Sequence, residues 1–175
     1  FLNSGLCPVL AFTFSDEISL VFLEAPFGGR VEKIDSLVAG FLSASLSLDL
    51  KRPVSLDCRT IPLCKCEICE YLDERQDEAW RNHVFSYGFY MLVREGKSPG
   101  QAMQALRGLS EAEIHEIVFG KGINLARTAA WERRGVMVYR KEGQVFQDWD
   151  LPLFSRPEGR ALVTQIIEAC SPAGS

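Results

Sequence analysis

No apolar stretch of this 175-residue chain is both long enough and free enough of charge to cross a bilayer, and the first residues carry neither the basic flank nor the cleavage pattern of a secretory leader. Those two absences make a cytoplasmic protein with no membrane partner the default expectation. Low-complexity tracts and internal repeats are missing too, so with 47% hydrophobic residues the chain can bury a sizeable core, and one domain over 1–175 is expected. A surplus of positive charge is also lacking. The net charge of −4 argues against a generally basic nucleic-acid coat but leaves room for a local basic face. Lys121, Arg127, Arg133, Arg134, Arg140 and Lys141 fall in a stretch whose only acid is Glu132, which reads equally as a solvated surface or a phosphate-contacting one.

What is present begins with a polar break between two apolar runs, 9–14 and 18–23. Apolar β-formers on either side of Ser15-Asp16-Glu17 predict a β-hairpin, although its turn holds no Gly, Asn or Pro to ease the reversal. Two adjacent carboxylates therefore stand at a strand end, as a solvated acidic turn or as the grip for a divalent metal. Pro26 and Gly28-Gly29 then break the strand. Val31, Ile34, Val38, Phe41 and Leu42 recur at helical spacing. A strand is expected over 54–61, where Val54, Leu56 and Cys58 alternate with Ser55, Asp57 and Arg59. A long helix from about 67 to 94 should follow, with Leu72, Gln76, Ala79, His83, Tyr87 and Tyr90 in one stripe. Gln76 and His83 are then either hydrogen-bond anchors or parts of a site. Capping boxes at Ser98/Gln101 and Ser110/Glu113 announce two shorter helices. Strands at 136–140 and 144–146 around Gly143, and a helix at about 158–169, complete an α+β order.

Ser15-Asp16-Glu17, the run Phe27-Gly28-Gly29-Arg30-Val31-Glu32-Lys33-Ile34, Asp57-Cys58-Arg59, the segment Arg75-Gln76-Asp77-Glu78-Ala79-Trp80-Arg81-Asn82, and Gly122-Ile123-Asn124 followed by Trp131-Glu132-Arg133-Arg134-Gly135-Val136 together resemble the tRNA-histidine guanylyltransferase family. The likeness covers nearly the whole chain in order and is strongest to the archaeal and bacterial guanylyltransferase-like branch. It implies a polymerase-palm-like antiparallel sheet with packed helices, and a nucleotidyltransferase that extends RNA 3′-to-5′ at the 5′ end of tRNA. GTP and ATP would be substrates, tRNA the partner, and a homotetramer the assembly. Two Mg²⁺ ions would serve the phosphoryl transfer. By the resemblance Asp16 is a metal-binding catalytic carboxylate with Glu17 beside it. Ser15, Arg30, Lys33 and Arg59 match triphosphate-binding positions, and Asn82 and Asn124 match polar positions of the nucleotide site.

Two departures shape the expectation. The family's first metal-binding aspartate lies on a strand ahead of the hairpin, and Phe1 is an unusual start, so an N-terminally truncated chain lacking that strand is expected. Trp80 stands where the eukaryotic enzymes carry a histidine tied to anticodon recognition, which favours general tRNA 5′-end repair. The competing readings are a catalytically incomplete RNA-binding or assembly module of the same fold, and another palm-type enzyme such as a nucleotide cyclase. Cys64, Cys66 and Cys69 could offer three thiolates to Zn²⁺. Their spacing is not that of two C-x-x-C pairs and Cys58 is on the apolar side of its segment, so reduced thiols are preferred. His115 reads as a surface helix residue.

Overall fold

The computed structural model describes residues 6–141 and 143–170, and Phe1 lies outside them. Leu10, Phe12 and Phe14 alternate with Ala11 and Thr13 in β1 (Leu10–Phe14), so one side of the strand is buried. A tight turn at Ser15-Asp16 leads into β2 (Glu17–Val21), which pairs antiparallel with Phe14 opposite Glu17 and Leu10 opposite Val21. The second hairpin, β3 (Val136–Lys141) and β4 (Gln144–Asp148), joins the first by pairing β3 to β1, with Phe12 opposite Met137. The result is a four-stranded antiparallel sheet of order β2-β1-β3-β4. The α+β expectation holds.

Register sorts the side chains to two faces. Leu10, Phe12, Phe14 and Met137 meet Leu72 and Ala79 of α2 (Ile68–Arg94) and Val163, Ile166 and Ile167 of α6 (Pro157–Cys170), with Phe154 edge-on to Phe12 at 5.6 Å. Leu20 and Phe22 instead meet Ile34 and Val38 of α1 (Val31–Leu50), so the long helices sandwich the first hairpin. The far half of α2 buries Val84, Met91 and Leu92 against α3 (Pro99–Leu106) and α4 (Glu111–Phe119). Both capping boxes form: Gln101 N–H donates to Ser98 Oγ and Glu113 N–H to Ser110 Oγ, each at 3.3 Å. A short helix, α5 (Ala130–Arg134), delivers the chain to β3 through Gly135 at φ 77°. A Cβ there would sit 2.7 Å from both the Phe12 ring and the Thr13 carbonyl.

Two expectations need adjustment, and Gln76 takes the first of its two expected roles. Residues 53–62 form no strand. Ser43 and Ser47 of α1 take up the backbone instead, Val54 N–H donating to Ser47 Oγ and Leu56 N–H to Ser43 Oγ, each at 2.9 Å. Alternation marked an amphipathic extended segment, but a strand needs a ladder partner, and here the neighbour is a helix. Phe41, expected on the packed side of α1, is exposed. Gln76 proves an anchor: its amide donates to the Arg134 carbonyl at 3.3 Å and to the Pro152 carbonyl at 3.2 Å, and accepts from Phe154 N–H at 2.8 Å. That trio satisfies a nearly fully buried amide and ties α2 to α5 and to the loop before α6.

Candidate active site and adjoining groove

The β1–β2 turn is built by close packing beneath it and strain within it. Ser15 takes φ 50°, a left-handed conformation that a residue with a Cβ adopts at a cost of about 1–2 kcal/mol. Asp16 is exposed at the tip, while Glu17 is half-buried because it faces α2. There Arg75 spans two carboxylates, 3.3 Å from Glu17 and 2.8 Å from Glu78. Burial works against the Arg75 charge, but the hydrogen bond and charge of Glu17, with Glu78, outweigh it and hold the guanidinium above its ordinary value. Its Nε is buried with no hydrogen-bond partner. Arg75 thus orients Glu17 and leaves Asp16 as the outward carboxylate.

A second group of expected residues gathers at the start of α1. The turn at Phe27, Gly28 and Gly29 runs through three consecutive positive φ values, and its Phe27 ring sits 4.8 Å from Lys33 Nζ. Arg30 Nε donates to the Phe27 carbonyl at 3.2 Å. Thr60 donates to Asp35 at 2.7 Å, which brings the 57–60 segment, and Arg59 with it, alongside the same helix end. Burial, then the nearby Asp35 carboxylate, push the Cys58 thiol up, so it stays a thiol. Arg30, Lys33 and Arg59 are all exposed. They form a cationic rim at an amide-rich helix N-terminus, an arrangement suited to phosphate oxygens.

Ser15 and Asn82 line a third feature, a groove of about 800 Å³ that starts at the hairpin turn and follows α2 past Tyr87 and Tyr90 to Arg94. Trp131 and Trp149, edge-to-face at 6.2 Å, form its opposite wall. His83 sits in its floor, packed on the Tyr87 ring at 4.7 Å. Thr128 spends its hydroxyl proton on the Leu125 carbonyl at 2.8 Å, so the contact of 3.0 Å between Thr128 Oγ1 and His83 Nε2 requires histidine to be the donor. Burial lowers the His83 pKa and Arg133 adds to that, against the pull of Glu132. Tyr87 donates to Glu132 at 2.7 Å, a bond that raises the Tyr87 pKa.

Asn124 does not line the groove, although its neighbour Ile123 does. The Asn124 Oδ1 accepts from Ala126 N–H at 3.0 Å and caps a short turn, leaving the amide nitrogen and one Oδ1 lone pair for other work. At least half of the basic stretch is engaged internally. Lys121 pairs with Glu95 at 2.6 Å, Arg133 donates to the Thr128 carbonyl at 3.1 Å and Arg134 to the Leu151 carbonyl at 2.8 Å. Cys64 and Cys66 lie close together, and Glu67 first, then Cys66, push the Cys64 thiol up. No cluster of three or more His, Cys, Asp or Glu side chains suited to a metal ion occurs among the described residues. No helix among them is long and apolar enough to cross a membrane. Sequence reasoning did not single out Arg75, Tyr90, Trp131 and Trp149 as site residues. Arg75 and Trp131 stood inside quoted motifs, yet only the fold aims them at the turn and the groove.

Comparison with known proteins bears on this arrangement. Residues 2–72 match the tRNAHis guanylyltransferase family and residues 66–163 the Thg1 C terminal domain family. Over 170 residues the chain is 29% identical to the probable tRNA(His) guanylyltransferase of Mus musculus, covering 88% of this chain and 57% of that protein. Over 147 residues it is 28% identical to tRNA(His) guanylyltransferase 1 of Arabidopsis thaliana, covering 77% of this chain and 26% of that one. The chain thus spans well under two thirds of these relatives' length. Among solved structures, a bacterial tRNA(His) guanylyltransferase (Thg1)-like protein in complex with ATP superposes at TM-score 0.69 with 23% identity, over 91% of this chain and 71% of that one. The tRNA(His) guanylyltransferase of Saccharomyces cerevisiae superposes at 0.60 with 25% identity, over 79% and 67%.

Proposed function

This chain belongs to the tRNAHis guanylyltransferase family, and from that membership we propose that it carries the nucleotidyl-transferring core of an enzyme that adds nucleotides 3′-to-5′ at the 5′ end of tRNA. The observation that carries the reading is the strained turn, which holds Asp16 outward and Glu17 against Arg75 at the mouth of the groove. In the proposed reaction the 3′-hydroxyl of an incoming GTP attacks the α-phosphorus of a 5′ end activated by ATP or already triphosphorylated. A new O3′–P bond forms, and AMP or pyrophosphate departs. Arg30, Lys33 and Arg59 would meet the triphosphate charge, and the Ser15 hydroxyl and the Asn82 and Asn124 amides would hydrogen-bond the nucleotide.

Magnesium suits the donors at the turn. Asp16 and Glu17 are adjacent hard oxygen donors, and a site made of one or two carboxylates completed by phosphate oxygens and water is the usual one for that ion. When bound it would supply charge neutralisation at the transferring phosphate. Asp16 is the exposed carboxylate at the turn, with Glu17 beside it held by Arg75 at 3.3 Å. The alternative reading is an RNA-binding or assembly module of the same fold.

Incorporation of labelled GTP into a 5′-truncated tRNA with magnesium tests both readings. Addition that falls at least ~100-fold in Asp16→Ala, as expected for loss of a metal clamp worth several kcal/mol, supports the enzyme. Retained tRNA binding without addition overturns it in favour of the module.

A further inference from the structure

The groove is larger and differently furnished than a triphosphate requires. From Ala79 to Arg94 it follows four turns of α2, about 22 Å at 1.5 Å per residue. Its walls carry three large, well-exposed aromatic side chains: Tyr90 is 61% exposed, Trp149 53% and Trp131 48%. Single aromatic side chains at a surface are ordinary, but three that line one cleft form a platform. Two carboxylates line it, and each has a partner. Glu95 pairs with Lys121 at 2.6 Å, while Glu132 accepts from Tyr87 at 2.7 Å and keeps its charge. What remains at the end distant from the turn is the exposed cation of Arg94.

We propose that this groove seats an unpaired, single-stranded segment of the RNA substrate, its bases stacked on Tyr90, Trp131 and Trp149 and a backbone phosphate on Arg94. The proposal rests on the nucleotidyltransferase reading and deepens it. Three observations select the occupant. The groove opens at Ser15, next to the proposed reacting carboxylates, so a strand lying in it would lead to the chemistry. Its length fits a few stacked nucleotides rather than one. Aromatic platforms with a flanking cation are how single strands are held without sequence preference, each stacked base contributing about 1–3 kcal/mol. A duplex could not offer those bases, because they are already stacked on one another.

Binding of a labelled short oligoribonucleotide, followed by its anisotropy and by tryptophan fluorescence, tests the idea. Tyr90→Ala and Trp149→Ala alter exposed side chains and are expected to weaken the oligonucleotide by about 5- to 150-fold, the fold-change for 1–3 kcal/mol, with GTP affinity unchanged. Arg94→Gln should flatten the dependence of log affinity on log salt by about 0.7. With 5′-truncated tRNA the two aromatic variants should raise KM and leave kcat unchanged. Wild-type oligonucleotide affinity in both overturns the proposal. So does quenching by GTP alone with competition, which would make the groove a mononucleotide site, or quenching that grows with protein concentration without RNA, which would put a second copy there. Weakened oligonucleotide binding in a protein that adds no nucleotide would leave the groove proposal standing and the enzyme reading fallen. Unaltered KM with intact addition would do the reverse.

Discussion

Ser15 pays for its position with backbone strain, and glycine would not. Replacing a left-handed non-glycine residue removes about 1–2 kcal/mol of steric cost and adds about 0.5–1 kcal/mol of unfolded-state entropy. Ser15→Gly should therefore raise the urea midpoint by the equivalent of roughly 0.5–1 kcal/mol while weakening GTP binding, because the hydroxyl is lost. A stability gain with unchanged GTP affinity would remove Ser15 from the nucleotide site. His83 offers a second residue-scale test. Its folded pKa lies below the ordinary value of about 6.5, so the unfolded chain binds the proton more readily. Its contribution to stability is complete above about pH 6.5 and is lost as pH falls from there toward the folded pKa. His83→Gln should therefore flatten the stability profile below about pH 6.5. Urea titrations across that range check it.

At the scale of elements, the junction of α5 and β3 is the most exacting. Gly135 combines positive φ with ring and carbonyl contacts that a Cβ would violate, one of them a backbone atom that cannot swing away. Gly135→Ala should cost at least about 2 kcal/mol, visible as a fall of several degrees in Tm, through the β1–β3 pairing that supports the Ser15 turn. Elements whose signals are local were legible beforehand. The two hairpins, both capping boxes, the long helix within a residue or two of its ends, and the last helix all announce themselves through neighbours in sequence. The segment at 54–61 forms no strand for the opposite reason: its alternation is real, but pairing depends on what lies beside it, and Ser43 and Ser47 hold it against α1. α2 shows a related limit. Its stripe from Leu72 to His83 faces the core as expected. Beyond His83 the buried side rotates to Val84, Gly88 and Leu92, because a different pair of helices covers that half, and Tyr90 is left to the groove.

For the whole molecule, charge decides how RNA can be held. The overall balance is −4, and at least half of the most basic stretch is engaged with internal partners, so phosphate contacts from cations that the fold sets apart are expected. Those are Arg30, Lys33 and Arg59 around the start of α1, which a resemblance in sequence could nominate, and Arg94 at the end of the groove, which only the packing of α2 against the turn reveals. Four such contacts predict a plot of log affinity against log salt with slope near −3, since each neutralised phosphate contributes about −0.7 to −0.9. A Lys33→Gln, Arg59→Gln double variant should lower that slope to about half and weaken tRNA binding without altering its preference for unpaired ends, because phosphate contacts position a strand and do not read it. A slope steeper than about −6 in the unaltered protein would mean that further cations reach the RNA, such as Arg127 or, on β3, Arg140 and Lys141, and that the binding surface extends beyond the groove and the start of α1.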